Sequence, residues 1–161
     1  MNSNMSPIDW AKRPIQKYAD FSGRAPRAEY WWFVLAMVIV FVALSIVESI
    51  VGLNKMILGV YGPLTVLLWL AVLVPSLSVG VRRLHDTDRS GWWLLLMVPY
   101  GVAVVLMLRS MSAAAAAGTM PGFGAAGILM LIGFACLITL LVFYCLAGTP
   151  GDNRYGPNPY G

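Results

Sequence analysis

The residues of this chain best suited to chemistry lie in one stretch, Val79 to Trp93, VGVRRLHDTDRSGWW, where six of fifteen are Arg, His or Asp between two long apolar runs. His85 is the sole histidine, and with Asp86 and Asp88 it offers an imidazole and two carboxylates, the donors of a metal site or of acid–base catalysis. A structural zinc wants about four protein ligands and a catalytic one about three. Cys136 and Cys145 lie in the last apolar run, out of reach, so His85, Asp86 and Asp88 alone make a poor site. Ser90 with His85 and an aspartate is a conceivable nucleophile arrangement, but a hairpin loop beside a bilayer offers no evident oxyanion pocket. No phosphate-binding loop or dinucleotide motif occurs anywhere. The expectation is therefore no metal, no cofactor and no catalytic residue.

The elements that must position this stretch are two membrane helices. Leu64 to Val81 before it and Trp92 to Leu108 after it are 18 and 17 residues long and carry no Asp, Glu, Lys or Arg. Each is close to the length of one bilayer crossing. Arg82 and Asp86 are spaced i, i+4, and Arg83 and Asp86 i, i+3, so the first of these helices can leave the membrane with its charges partly paired. Asp86-Thr87-Asp88 supplies turn-forming side chains. Ser90 is placed to cap the next helix, its hydroxyl accepting from Trp92 or Trp93 N–H, and the two tryptophans suit the headgroup level. Arg89 opposes the macrodipole of that helix, so Asp86, Asp88 or an anion should neutralise it.

Composition agrees. Of 161 residues, 59% are apolar and 11% charged, with a mean hydropathy of +0.75, which excludes an ordinary soluble domain. The net charge of +4 comes from 11 basic residues at the edges of apolar runs, a pattern of membrane orientation and not of nucleic-acid binding. Cys136 and Cys145 are nine residues apart in one helical run, about 13 Å of rise on opposite faces, and cannot pair with each other. They read as apolar packing residues.

Taken in order, residues 1–29 form an N-terminal segment with no signal-peptide core. Ser6-Pro7 with Asp9 starts a helix, which Pro14 would interrupt. The segment is either a short helix on the membrane surface, with Ile15, Tyr18 and Ala19 on one face and Lys12, Arg13 and Lys17 toward anionic headgroups, or a flexible basic tail. Residues 30–147 hold four spans. The first begins at the Tyr30, Trp31, Trp32 belt after Pro26 and Glu29, and runs to about Val51. Its Glu48 lies about 27 Å beyond Tyr30, near the far surface, where it is a headgroup-region carboxylate or, alternatively, an intramembrane proton or cation site. Gly52 to Pro63, with Lys55, is an outer loop. In the second span Pro75 breaks a backbone hydrogen bond, with Ser76 and Ser78 available for the freed groups, and Ser76 and Gly80 form a small-xxx-small pair. Pro99 and Gly101 should kink the third span. Arg109 to Gly124 is a surface loop or helical extension, and Ala125 to Leu146 is the fourth span. The tail, residues 148–161, is too rich in Gly and Pro for a helix or central strand, and is either flexible or docked on the hairpin loop.

Orientation follows from Lys and Arg. Lys12, Arg13, Lys17, Arg24, Arg27, Arg82, Arg83, Arg89 and Arg154 fall on one side, and Lys55 and Arg109 on the other. Both termini and the hairpin loop should be cytoplasmic.

GRAPRAEYWWF before the first span, RRLHDTDRSGWW in the hairpin and GDNRYGPNP after the last span together resemble the bacterial inner-membrane family catalogued as domain of unknown function 805. The resemblance covers roughly Phe21 to Pro159 and implies a four-span inner-membrane protein without an established activity. Pro26 stands where that family commonly has a capping Ser, and Asp88 where it commonly has Gly. The first removes a side-chain cap, and the second bears on a turn that needs positive φ, which Asp tolerates better than most residues.

The expected fold is thus all-α, a multi-pass bundle of four transmembrane helices in the bacterial inner membrane. The preferred function is a lipid- or protein-binding module. Arg24, Arg27, Arg82, Arg83 and Arg89 would hold anions or lipid headgroups, and His85, Asp86, Asp88, Arg154 and Tyr155 would form a cytoplasmic polar cluster with the chain's entry and exit segments. Its partners would be anionic membrane lipids, a membrane protein or a second copy of the chain, with no nucleic acid. A small transporter or channel component is the alternative, for which only Pro75, Ser76 and Ser78 approach a mid-membrane site. A membrane-interface enzyme stands behind both.

Overall fold

The computed structural model describes residues 5–53, 62–120 and 124–159, and over these the chain is helical. The order is α1 (Pro7–Gln16), α2 (Arg27–Val51), α3 (Pro63–Asp86), a 3-10 segment (Gly91–Met97), α4 (Val98–Ala117) and α5 (Gly124–Cys145). Four stretches are long and apolar enough to cross a membrane: Arg27–Val51, Pro63–Asp86, Gly91–Ala117 and Gly124–Cys145. Among the described residues the sole strand-like pairing is one bridge, Asn153 to Gly156. Lys55 and most of its expected outer loop lie outside the described residues.

Burial is inverted relative to a water-soluble protein. Ile39, Ile50, Trp69 and Leu131 are more than half exposed, whereas the fully buried side chains include Arg82, Arg83, Glu29, Glu48 and Asp86. Hydrocarbon around the helices makes both halves of that arrangement favourable, since apolar side chains lose nothing in lipid and charges must find partners inside.

The chain divides into two units, residues 1–88 with 147–161, and residues 89–146. In the first, α1 packs on α2 and α3. It opens with a capping box in which Ser6 Oγ accepts from Asp9 N–H at 3.2 Å and Asp9 Oδ2 accepts from Ser6 N–H at 3.1 Å. The Ser6 hydroxyl, and then its N–H, hold the Asp9 carboxyl below its ordinary value. The helix continues through Pro14, which is buried, so Pro7–Gln16 is helical across that proline. It stops at Gln16, which takes Tyr18 off its face. Instead the Tyr18 hydroxyl donates to the Ala71 carbonyl at 2.5 Å. Ala71 is the residue four before Pro75, whose carbonyl a proline cannot serve. Ser76 Oγ donates to Val72 O at 2.6 Å and Ser78 Oγ to Pro75 O at 3.2 Å, so the serines satisfy neighbouring carbonyls while Tyr18 takes the freed one.

In the second unit the expected Ser90 cap is not formed. Ser90 has extended backbone and its hydroxyl makes no capping bond. Its carbonyl accepts from Trp93 N–H at 3.3 Å, which opens a 3-10 turn and not an α-helical one. The α-helical part begins only at Val98, with Pro99 in its first turn where no N–H partner is lost. It runs on to Ala117, so the stretch after Arg109 is a helical extension as far as that residue. α4 and α5 approach so closely that a Cβ on Gly133 would overlap the Tyr100 backbone. Cys136 and Cys145 are free thiols.

Candidate functional site

The last turns of α3 present Arg82, Arg83 and Asp86, all with no exposed surface. Arg83 pairs with Asp86 one turn on, as their spacing allows. Arg82 does not take Asp86. Its Nη1 donates across to Glu29 Oε1 of α2 at 2.5 Å, and the Arg13 side chain of α1 approaches the other oxygen of the same carboxylate at 3.6 Å. Glu29, expected only to favour the start of α2, is thereby the bridge between three helices.

Asp86 collects the chain's entry and exit. Arg24 donates from Nε to Asp86 Oδ1 at 3.0 Å, and from Nη1 and Nη2 to the carbonyls of Gly151 and Thr149 at 2.7 Å each. The backbone joins as well, since a helix end leaves its last carbonyls without partners. Ala25 N–H donates to Arg82 O at 2.9 Å, Thr149 N–H to Asp86 O at 2.8 Å and Asn153 Nδ2 to His85 O at 2.9 Å. A Cβ on Gly148 would overlap the Asp86 carboxylate, so only glycine lets the tail come this near.

Around this core lie the remaining polar residues. The His85 ring stacks on Tyr155 with centroids 3.8 Å apart and planes 3° from parallel, and its Nδ1 lies 3.1 Å from the Gly23 carbonyl oxygen. Arg154 Nε lies 3.1 Å from Asp88 Oδ1, Nη2 donates to the Asp88 carbonyl at 2.8 Å, and the guanidinium sits over the Tyr155 ring. Asp88 has φ of 56°, the one non-glycine residue in the left-handed region among those described. The tail is docked, turned back by Asn153 and Gly156.

The structure therefore brings His85, Asp86, Asp88, Arg154 and Tyr155 together, with Arg24, Arg82 and Arg83 inside the same cluster. It does not present Arg24, Arg82 and Arg83 outward. Arg27, the first residue of α2, is exposed. Arg89 belongs to the second unit, where its guanidinium lies 4.2 Å from the centre of the Phe143 ring. Four guanidiniums, of Arg13, Arg24, Arg82 and Arg83, share two buried carboxylates, Glu29 and Asp86.

Glu48 makes a separate site at the other end of the α2 and α3 pair. Its Oε1 accepts from Leu64 N–H at 2.6 Å and Thr65 N–H at 3.1 Å, and its Oε2 from the Thr65 hydroxyl at 2.5 Å. It is thus a cap for the N-terminus of α3 supplied by another helix, favoured by the dipole there. Gly62 leaves room for it, because a Cβ there would overlap the carboxylate. Sequence reasoning missed this role, the tail-clamping role of Gly148 and the Tyr18 bond. Thr65 at the third position of α3 opposite a lone carboxylate was the available signal for the first. No cluster of three His, Cys, Asp or Glu suited to a metal occurs among the described residues.

These features define a four-span, all-helical membrane protein with an internal charge cluster. The chain belongs to the family described as protein of unknown function (DUF805), whose model matches residues 18–157. It is similar to the inner membrane protein YhaH of Escherichia coli (strain K12), 34% identical over 154 residues, covering 94% of this chain and 97% of that one. Inner membrane protein YhaI of the same strain is 35% identical over 154 residues, covering 94% and 96%. No solved structure matches. The chain is accordingly an inner membrane protein.

Proposed function

We propose that the chain is an interaction module whose basic face binds anionic lipid headgroups on the cytoplasmic side of the inner membrane. The observation that carries this reading is α1, a short amphipathic helix anchored to α2 through Arg13 and Glu29. It leaves Ile8, Ile15 and nearby Phe21 exposed in the same N-terminal region as the exposed Lys12 and Arg27. Apolar anchors beside cations are the composition of an interfacial helix. The bias of nine cations against two supports a cytoplasmic placement of that face, where the leaflet is anionic and each nearby cation contributes about 1 kcal/mol. Arg24, Arg82 and Arg83 serve the reading indirectly, by holding the entry segment and tail against α3.

Reconstitution with spin-labelled lipids tests it. Phosphatidylglycerol should be preferred over phosphatidylcholine at the protein boundary, and the preference should weaken with salt and in Lys12→Gln with Arg27→Gln. A boundary without headgroup preference refutes the reading. In a chain with Cys136 and Cys145 replaced, Asp152→Cys should label from the cytoplasmic side and Asn54→Cys from the opposite side, and the reverse pattern refutes the orientation.

A further inference from the structure

The two residues that follow α1 tie it to α3 on both sides of Pro75. Tyr18 donates its hydroxyl to Ala71 O at 2.5 Å, four residues before the proline, and Lys17 O accepts from Ser78 Oγ at 3.3 Å, three residues after it. The segment that carries these ties is closed on itself. Lys17 O also accepts from Asp20 N–H at 3.1 Å, Lys17 Nζ lies 3.5 Å from Asp20 Oδ2, and Asp20 Oδ1 accepts from Ser22 N–H at 3.0 Å. Lys17 N–H donates back to Arg13 O at 2.9 Å. Residues 17–22 are thus one turn that moves with the end of α1.

Along α3, Ser78 lies four residues or about 6 Å from Arg82, and Ala71 eleven residues or about 16 Å. Arg82 pairs with Glu29, beside the Tyr30 to Trp32 belt, and so marks the membrane surface. The tie at Ser78 is then at the depth of about 5–10 Å to which an interfacial helix sinks. The tie at Ala71 is near the middle of a core about 30 Å thick, where no water replaces a missing donor. Pro75 has no N–H for Ala71 O, and a helix whose ladder a proline interrupts bends there. The donor that this carbonyl lacks in its own helix comes from Tyr18. The half of α3 beyond Pro75 carries Arg82, Arg83 and Asp86, and through Asp86 it holds the tail.

We infer that residues 17–22 are a strap across the Pro75 hinge, through which the seating of α1 on the membrane surface sets the bend of α3. With α1 seated, Tyr18 serves Ala71 O and one bend is favoured. With α1 lifted, the carbonyl loses its donor and that bend loses its advantage. Linkage makes the coupling reciprocal, so the bend favours the seating as much as the seating favours the bend. The inference rests on the reading of α1 as an interfacial helix but not on its choice of headgroup.

Double electron–electron resonance on the full chain in bilayers tests it, with Cys136 and Cys145 replaced and spin labels at Leu67→Cys and Val81→Cys. These positions lie on either side of Pro75, about 21 Å apart along the helix. In phosphatidylglycerol the otherwise unchanged chain should give one narrow distance. Tyr18→Phe should raise the share of a second distance about fivefold, the worth of one hydrogen bond. Adding Pro75→Ala, which restores an N–H to Ala71 O, should remove that second distance. Ile8→Asp takes away an exposed apolar anchor of α1 and leaves both ties in place, and it should also raise the second distance. An unchanged distribution in Tyr18→Phe or in Ile8→Asp overturns the strap, as does a second distance that persists when Pro75→Ala is added. The same distribution in phosphatidylglycerol and phosphatidylcholine, with Ile8→Asp still broadening it, upholds the strap and counts against the headgroup preference alone.

Discussion

Asp86 is where the structure concentrates its consequences. Asp86→Ala removes the carboxylate shared by Arg83 and Arg24 and leaves both guanidiniums buried. Removing one partner of a buried ion pair costs about 3–5 kcal/mol. Arg24 keeps the carbonyls of Gly151 and Thr149, each at 2.7 Å, so the lower end applies, about 3 kcal/mol. For a chain of this size that is roughly 6 to 12 °C in melting temperature. Arg154→Ala is the control. It breaks a pair whose side chains are 62% and 48% exposed, worth about 0–1 kcal/mol.

Gly148→Ala sharpens the test. With Asp86 present the new methyl overlaps the carboxylate and must push the tail or the aspartate away. With Asp86→Ala there is no carboxylate to meet, so the second substitution should cost little and the two should be non-additive by about 1 kcal/mol or more. Tryptophan fluorescence during thermal unfolding in one detergent reads all four variants. Equal melting temperatures for Asp86→Ala and Arg154→Ala, or strict additivity with Gly148→Ala, would refute the reasoning.

Three further outcomes follow from the same geometry. Gly62→Ala should displace Glu48 from the start of α3 and destabilise by about 1–2 kcal/mol, the cost of a lost cap, and it should add nothing further in Glu48→Ala; full additivity in thermal unfolding would contradict the cap. Tyr18→Phe should cost about 1 kcal/mol by leaving the Ala71 carbonyl without its donor, and Pro75→Ala, which restores an N–H to that carbonyl, should remove the cost. Persistence of the penalty in the double variant would show that the bond is not what matters. Gly133→Val should strain the α4 and α5 contact at Tyr100 by about 1–3 kcal/mol, and unchanged thermal stability would mean the helices do not meet there.

The apolar runs made the four spans legible, because a chain in hydrocarbon has few alternatives to a helix. The polar hairpin was legible as the place where charges gather, and Arg83 with Asp86 as a pair, since both are local in sequence. Contacts between distant segments were not. Nothing in the spacing tells that Arg82 turns to Glu29, 53 residues earlier, and not to Asp86, or that a tyrosine in the entry segment serves a carbonyl freed by Pro75. The Ser90 cap failed for a different reason. A serine before a helix supplies a cap only if the first turn is α-helical, and here backbone bonding from Trp93 opens a tighter turn.

Arginines at the boundary of an apolar run are usually read as reaching outward, and for Arg24, Arg82 and Arg83 that reading fails on burial. The reason lies in what can align two helices in lipid. No hydrophobic drive favours one register of α2 against α3 there, so polar contacts must supply it. α2 offers a carboxylate near each end, Glu29 and Glu48, 19 residues or about 28 Å apart along its axis. Antiparallel to it, α3 offers a guanidinium at Arg82 and free N–H groups at its start near Thr65, 17 residues or about 26 Å apart. The two intervals match to within a turn and both approximate the thickness of a bilayer core. Sliding either helix by one turn would leave a buried carboxylate without donors at both ends, a penalty no apolar contact in lipid offsets. The charges that mark the ends of these spans thus set the register of the pair.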